Sequence, residues 1–364
     1  MSLIRPGATL GILGGGQLGR MLAHAAQRLG YDVAIYDPDP EAPAARVAAW
    51  SVCMEWDDLG AIRDFAGRCS AVTYEFENVP AATAAAVEAA GVPLRPGSAV
   101  LAISQDRLEE KRFLTERCDI DVAPWRPVDS PADLEAALAA LGGAGVLKTR
   151  RLGYDGKGQI RLKTGDDPAR ALAAIGAVPA ILEAVVPFEK EVSCIGARSA
   201  DGAIALFPLC ENRHVEGILA RTYAPARVSE TVEVAAAGAM RRALHALDYV
   251  GVLTIEFFVL DGDIVLGNEI APRVHNSGHW TLDAAATDQF EQHVRCMTGL
   301  PLGDPDGLWR CEMRNLLGEQ ALAIEALLAE PESRLHLYGK RDPRPGRKMG
   351  HITRRITVLT DETP

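Results

Sequence analysis

Apolar positions along this chain change period several times, and each change marks a predicted element. Residues 9–13 form a short apolar run. Leu18, Met21, Leu22, Ala25 and Leu29 then recur at the spacing of one helical face, which predicts a helix. A second strand, DVAIYD, ends at Asp37. A third is predicted over residues 71–80, AVTYEFENVP, and a helix over residues 81–90. This alternation of strands and helices predicts a parallel α/β sheet, assigned to residues 1–104.

The pattern then loosens. QDRLEEKRFLTER reads as a charged helix with only Leu108, Phe113 and Leu114 on its apolar side. Short strands are predicted at residues 145–149, carrying Lys148, and at residues 180–186, interrupted by Glu183. EKEVSCIGAR carries Glu191 into another strand, and residues 235–247 form an amphipathic helix. Residues 105–295 are assigned to this second, mixed α+β region, and residues 296–364 to a small third domain.

The richest pattern is LTIEFFVLDGDIVLGNEI, which predicts a β-hairpin around Asp261-Gly262. With a two-residue turn, Glu256 pairs with Gly267. Ile255, Phe257 and Val259 then share an apolar face with Ile264, Leu266 and Ile270. Glu256 and Glu269 fall on the other face as diagonal neighbours, roughly 7–8 Å apart. Two readings stand: a carboxylate pair gripping a hard divalent cation, or two solvated glutamates. Immediately beyond, Arg273, His275, Asn276, Ser277 and His279 crowd one short segment.

Three further stretches carry candidate chemistry. Gly14, Gly16 and Gly19 make a literal G-x-G-x-x-G between a strand and a helix, with Asp37 at about the offset of a ribose-binding acid. The acidic, proline-rich sequence after Asp37 argues against a nicotinamide or flavin there. Glu75 and Glu77 sit at a strand end, where open α/β sheets place ligands. Residues 150–159, RRLGYDGKGQ, combine three glycines with Arg150, Arg151 and Lys157. They read as a cationic loop suited to polyphosphate or as a flexible surface turn. Lys340, Arg341, Arg344, Arg347 and Lys348 fall within nine residues, as a phosphate pocket or a solvated turn. His214 by its own context is a surface or core histidine.

Composition narrows the class. The 364 residues are 48% hydrophobic and 24% charged, as in a globular protein. A net charge of −11 argues against a broad nucleic-acid-binding face. Seven scattered cysteines without a C-x-x-C pair indicate neither a disulfide framework nor a zinc site. With no signal-peptide pattern and no apolar run of membrane-span length, a cytoplasmic location without membrane partners is expected.

GGGQLGRML, YEFENVP, KTRRLGYDGKGQ, EVSCIGAR, the paired-glutamate hairpin, APRVHNSGHWT and RPGRKMGH together closely resemble the ATP-grasp enzymes of purine biosynthesis, specifically the 5-(carboxyamino)imidazole ribonucleotide synthase family. The resemblance implies a Rossmann-like N-terminal domain, a central ATP-grasp domain and a small C-terminal domain. It implies ATP between two sheets, with Arg107 and Lys148 at its phosphates. Gly153, Tyr154, Asp155, Gly156, Lys157, Gly158 and Gln159 would form a closing loop. Glu183, Ala184, Val185 and Val186 would be the adenine hinge, Glu191 would hold the ribose, and His214 and Asn268 would line the same pocket. Glu256 and Glu269 would hold magnesium. Aminoimidazole ribonucleotide would lie near Gln17, Leu18, Glu75, Tyr154, Asp155, Arg273, His275, Asn276 and Ser277, its phosphate at Lys340, Arg347 and Lys348. The implied reaction uses ATP and bicarbonate, with Lys148 and Arg273 offsetting charge and Asp155 orienting the amine, in a homodimer. A different ATP-grasp ligase, a nicotinamide oxidoreductase and a non-catalytic nucleotide-binding module are the competing readings.

Overall fold

A computed structural model describes residues 3–356 apart from Tyr154, Asp155 and Lys157, which therefore fall outside the placements below. The first layer is a parallel sheet in the order Trp50–Val52, Asp32–Tyr36, Thr9–Leu13, Ala71–Tyr74. The central strands are buried nearly throughout, as expected when helices cover both faces of a parallel sheet. The third predicted strand stops at Tyr74, so Glu75 and Glu77 stand in the loop at its carboxyl end.

Two antiparallel sheets follow. The smaller runs Trp125–Val128, Ala180–Glu183, Ala144–Thr149, Gln159–Lys163. Its core, including Leu134, Leu138, Leu147 and Leu182, lies under helices Pro131–Ala140 and Pro168–Ala174. Ser130 and Asp167 cap those helices through their side chains. The larger sheet starts at the hairpin Ile264–Ala271 and Gly251–Leu260. It continues through Lys190–Arg198, Cys210–Val215 and Ile218–Ala224 to Cys311–Leu317, Lys348–Arg355 and Arg334–Leu337. The C-terminal strands thus extend the central sheet through the pairing of Ile218–Ala224 with Cys311–Leu317. Helix Glu230–Ala246 covers one face, burying Val232, Ala236, Met240 and Leu244. Among the described residues no helix is long and apolar enough to cross a membrane.

The hairpin forms, but its register differs from the expected one. Its turn holds three residues, Asp261–Asp263, with Gly262 and Asp263 at positive φ. Leu260 therefore pairs with Ile264. The register shifts again between Glu256 and Phe257, where Asn268 is the extra residue of a bulge. Glu256 consequently faces Glu269 directly, closer than the diagonal arrangement. Ile264 and Leu266 move to the opposite face, and Ile264 is 53% exposed. Ile270 stays with Ile255 on the buried side, because two one-residue slips restore the original parity.

Candidate active site

The glycine-rich turn is closed by the protein's own acids. Gly16 and Gly19 N–H donate to the two Glu75 carboxylate oxygens at 2.9 and 3.1 Å, and Gly15 N–H donates to Asp37 at 2.6 Å. Gly19 sits so close that a Cβ there would lie 2.7 Å from the Gly14 carbonyl oxygen. The positive end of helix Gln17–Arg28 thus already holds carboxylates, and a pyrophosphate would meet both their volume and their charge. Burial raises both acids above the usual carboxylate range, with these backbone hydrogen bonds opposing the rise.

Between the two antiparallel sheets lies a cavity of about 990 Å³. Lys148, Gln159 and Glu183 reach it from the smaller sheet; Glu191, His214, Glu256, Asn268 and Glu269 reach it from the larger. Ala184, Val185 and Val186 line it where the chain crosses between the sheets, and Gly156 lines its loop side. The Glu183 carboxylate points inward, 3.0 Å from Lys148 Nζ and 3.5 Å from Lys111 Nζ. Burial alone would raise it, but Lys111 and Lys148 hold it down at about 2. Burial lowers Lys148 from its ordinary value while Glu183 opposes the shift. Arg107 Nη1 donates to Glu269 at 3.0 Å. Glu191 and His214 bond each other at 2.6 Å, and this bond overrides burial to raise the imidazole pKa.

A divalent cation fits this wall. The directly opposed Glu256 and Glu269 repel, and burial together with Glu269 raises Glu256. Glu269 is held low despite burial, chiefly by Arg107. The Asn268 side-chain oxygen between them in sequence is buried without a hydrogen-bond partner. An all-oxygen set with one orphaned oxygen suits magnesium.

A second cavity of about 670 Å³ opens toward the first domain. Gln17, Leu18, Glu75, Gly153, Arg273, His275, Asn276, Lys340, Arg347 and Lys348 line it. Five residues, Arg107, Glu269, His275, Asn276 and Lys348, belong to the walls of both cavities. Glu77 pairs with the Arg273 guanidinium across the gap between domains. His275 is pushed down to about 3 by burial and by Arg273 and Lys348, so it is neutral at physiological pH. Ser277 lies behind it, fully buried, 2.8 Å from His275 Nδ1. Gly158 lines neither cavity; it packs against Thr149.

The pattern of apolar residues passed over Glu110 and Lys111. Helix Arg107–Arg112 buries Glu110 and Lys111 as well as Leu108. The available signal was spacing: Arg107, Glu110, Lys111 and Leu114 follow i, i+3, i+4, i+7, a helical face made mostly of charge. A further polar cluster, Asp283, His336 and His351, brings potential ligand atoms within 4.8 Å of one another. Its two imidazole rings stack at 4.6 Å and 14°, so their lone pairs run side by side rather than converge on one ion. His336 Nε2 lies 3.0 and 3.1 Å from the Asp283 oxygens, and Tyr338 engages His351 Nδ1 at 2.9 Å.

Two antiparallel sheets enclosing a nucleotide-sized cleft define an ATP-grasp protein, and residues 113–290 match the ATP-grasp domain family. Residues 7–105 match the ribonucleotide synthetase preATP-grasp domain, and residues 311–359 the phosphoribosylaminoimidazole carboxylase C-terminal domain. The chain is 52% identical over 353 residues to the N5-carboxyaminoimidazole ribonucleotide synthase of Brucella melitensis, covering 96% of this chain and 97% of that protein. It superposes on the solved N5-carboxyaminoimidazole ribonucleotide synthetase of Thermus thermophilus with a TM-score of 0.90 at 46% identity, covering 96% and 94% of the two chains. The Aspergillus clavatus synthase, solved with ADP and 5-aminoimidazole ribonucleotide, gives 0.89 at 32% identity, again over 96% and 94%. The chain belongs to the N5-carboxyaminoimidazole ribonucleotide synthase family.

Proposed function

We propose that this protein carboxylates the exocyclic amine of 5-aminoimidazole ribonucleotide, consuming ATP and bicarbonate and releasing ADP and phosphate. The observation that carries this is the junction of two cavities at Arg107, Glu269, His275, Asn276 and Lys348. One cavity holds the residues suited to a nucleoside triphosphate. The other ends in Lys340, Arg347 and Lys348, a set suited to a phosphate monoester.

The chemistry follows from that meeting point. A bicarbonate oxygen attacks the γ-phosphoryl group, the bond to the β-phosphate oxygen breaks, and ADP leaves. The resulting carboxyphosphate loses phosphate and delivers carbon dioxide to the neighbouring amine, which forms the new C–N bond and gives up a proton. Lys148 and Arg107 offset charge on the transferring group from one side and Arg273 from the other. Glu77 fixes the direction of the Arg273 guanidinium. Neutral His275 donates or accepts a hydrogen bond at the junction without adding charge. Asp155, outside the described residues, is the group assigned to orient the amine. Glu256 and Glu269, with Asn268, would hold magnesium, which on binding supplies positive charge to the phosphate oxygens. Adenine would rest along Ala184, Val185 and Val186, and the ribose against Glu191.

We assign the working unit as a cytoplasmic homodimer, which light scattering and fractionation would test. Six of the seven cysteines are buried and all are free, which suits a reducing compartment. The deciding assay is phosphate release with ATP and bicarbonate, comparing 5-aminoimidazole ribonucleotide with glycinamide ribonucleotide. Release that depends on both bicarbonate and the imidazole substrate supports the assignment; release with the glycinamide substrate alone overturns it.

A further inference from the structure

Lys111 is 1% exposed. It lies on helix Arg107–Arg112 and lines neither cavity. Burying an ammonium costs several kcal/mol unless its partners repay the lost hydration. Its partners here are few and specific. Nζ donates to the Asn268 carbonyl at 2.5 Å and stands 3.5 Å from Glu183 Oε2. That same carboxylate oxygen receives Lys148 at 3.0 Å. Glu183 Oε1 has no partner, so the carboxylate turns its bonded side wholly toward the two lysines.

Each contact ends on something the reaction needs. Asn268 is the extra residue of the hairpin bulge, with no partner across the ladder. Its place in the chain brings Glu269 opposite Glu256 rather than one position away. At a bulged residue the regular ladder bonds are interrupted, so its carbonyl is open to a partner from outside the sheet. Lys111 clamps the carbonyl at that point. Its other contact splits Glu183 between two ammonium groups, which holds the carboxylate charged and fixes the place from which Lys148 reaches the cavity. An apolar side chain of similar length would fill the same space without the cost of burying a charge. A packing role therefore does not account for a lysine here.

We propose that Lys111 is a positioning residue. Its single ammonium group sets both the register of the Glu256 and Glu269 pair and the aim of Lys148, coupling magnesium binding to phosphate binding. The inference rests on the assignment of Lys148 and the glutamate pair to Mg·ATP made above.

Two substitutions separate the two contacts. Lys111→Met removes charge and hydrogen bond together. Lys111→Gln can still donate to the Asn268 carbonyl but cannot balance Glu183. Binding of Mg·ADP by calorimetry, steady-state kinetics and thermal midpoint are measured for both. Both variants should bind Mg·ADP about tenfold more weakly, as loss of a supporting partner around a metal site does. The KM for 5-aminoimidazole ribonucleotide should stay within about twofold of the parent, and the thermal midpoint should not fall enough to explain the loss. Lys111→Met alone should also demand about tenfold more magnesium for half-maximal rate. If the Met variant does not fold, the Gln variant carries the nucleotide comparison by itself. Nucleotide binding equal to the parent in a folded variant overturns the proposal. So does an equal rise in both KM values, or a crystal structure of either variant with Lys148 and the hairpin register unmoved. A parent that binds Mg·ADP but does not carboxylate overturns the proposed reaction instead, and leaves the nucleotide-binding comparison intact.

Discussion

Acid should loosen this protein through a histidine that lines neither cavity. His293 is fully buried on helix Gln289–Thr298, where Val252 N–H donates to its Nδ1 at 3.0 Å and Thr73 Oγ1 lies 2.8 Å from its Nε2. It therefore ties the first domain to the strand leading into the hairpin. Burial pushes its pKa down from 6.5 to about 4. A base whose folded pKa is depressed contributes stability above its unfolded pKa and loses it as pH falls. The window runs from 6.5 down to about 4, below which the contribution is gone. Across the whole window the loss is on the order of 3 kcal/mol, and about 2 kcal/mol of it falls between pH 7 and pH 5. The assay is urea unfolding of the parent and of His293→Gln at a series of pH values. The variant is expected to be less stable at pH 7.5, because its amide fits the two partners poorly. Its stability should then fall less steeply with acid, by up to about 1.4 kcal/mol per pH unit inside the window. Parallel curves for the two proteins would refute the reasoning.

Further expectations concern the site. Glu269→Gln should lower kcat/KM for Mg·ATP by on the order of a hundredfold or more, with only partial rescue at high magnesium, measured by coupled ADP release. Lys340→Ala and Arg347→Ala should each raise the KM for the ribonucleotide roughly tenfold while leaving that for ATP nearly unchanged, since a lost phosphate contact is worth about 1.5–3 kcal/mol at most. Asp155→Asn should abolish carboxylation yet leave Mg·ADP affinity by calorimetry close to that of the parent.

The strands and helices were largely legible because their apolar periods are strong. The paired glutamates were legible too, but their spacing was not. It depends on a third turn residue at Asp263 and a bulge at Asn268, and neither leaves a mark on alternation, because the two slips cancel. Glu110 and Lys111 were hidden for the opposite reason. Charged residues on a helix read as solvated, and only the folded neighbourhood shows that Glu183 and Asn268 wait for the ammonium on the buried side. The glycine fingerprint was legible, yet what closes it could not be read locally. Glu75 arrives from 59 residues away, from the loop that follows a different strand of the sheet.

The unbroken ladder from the hairpin to Lys348–Arg355 has a geometric consequence. Glu256 and Glu269 near one end of that ladder and Lys348 near the other belong to one hydrogen-bonded sheet. Movement of the smaller sheet would break none of the hydrogen bonds that join these two points. Under the proposed assignment the larger sheet would act as a caliper, admitting a ribonucleotide whose reactive amine and phosphate stand the right distance apart and leaving shorter or longer molecules held at one end only.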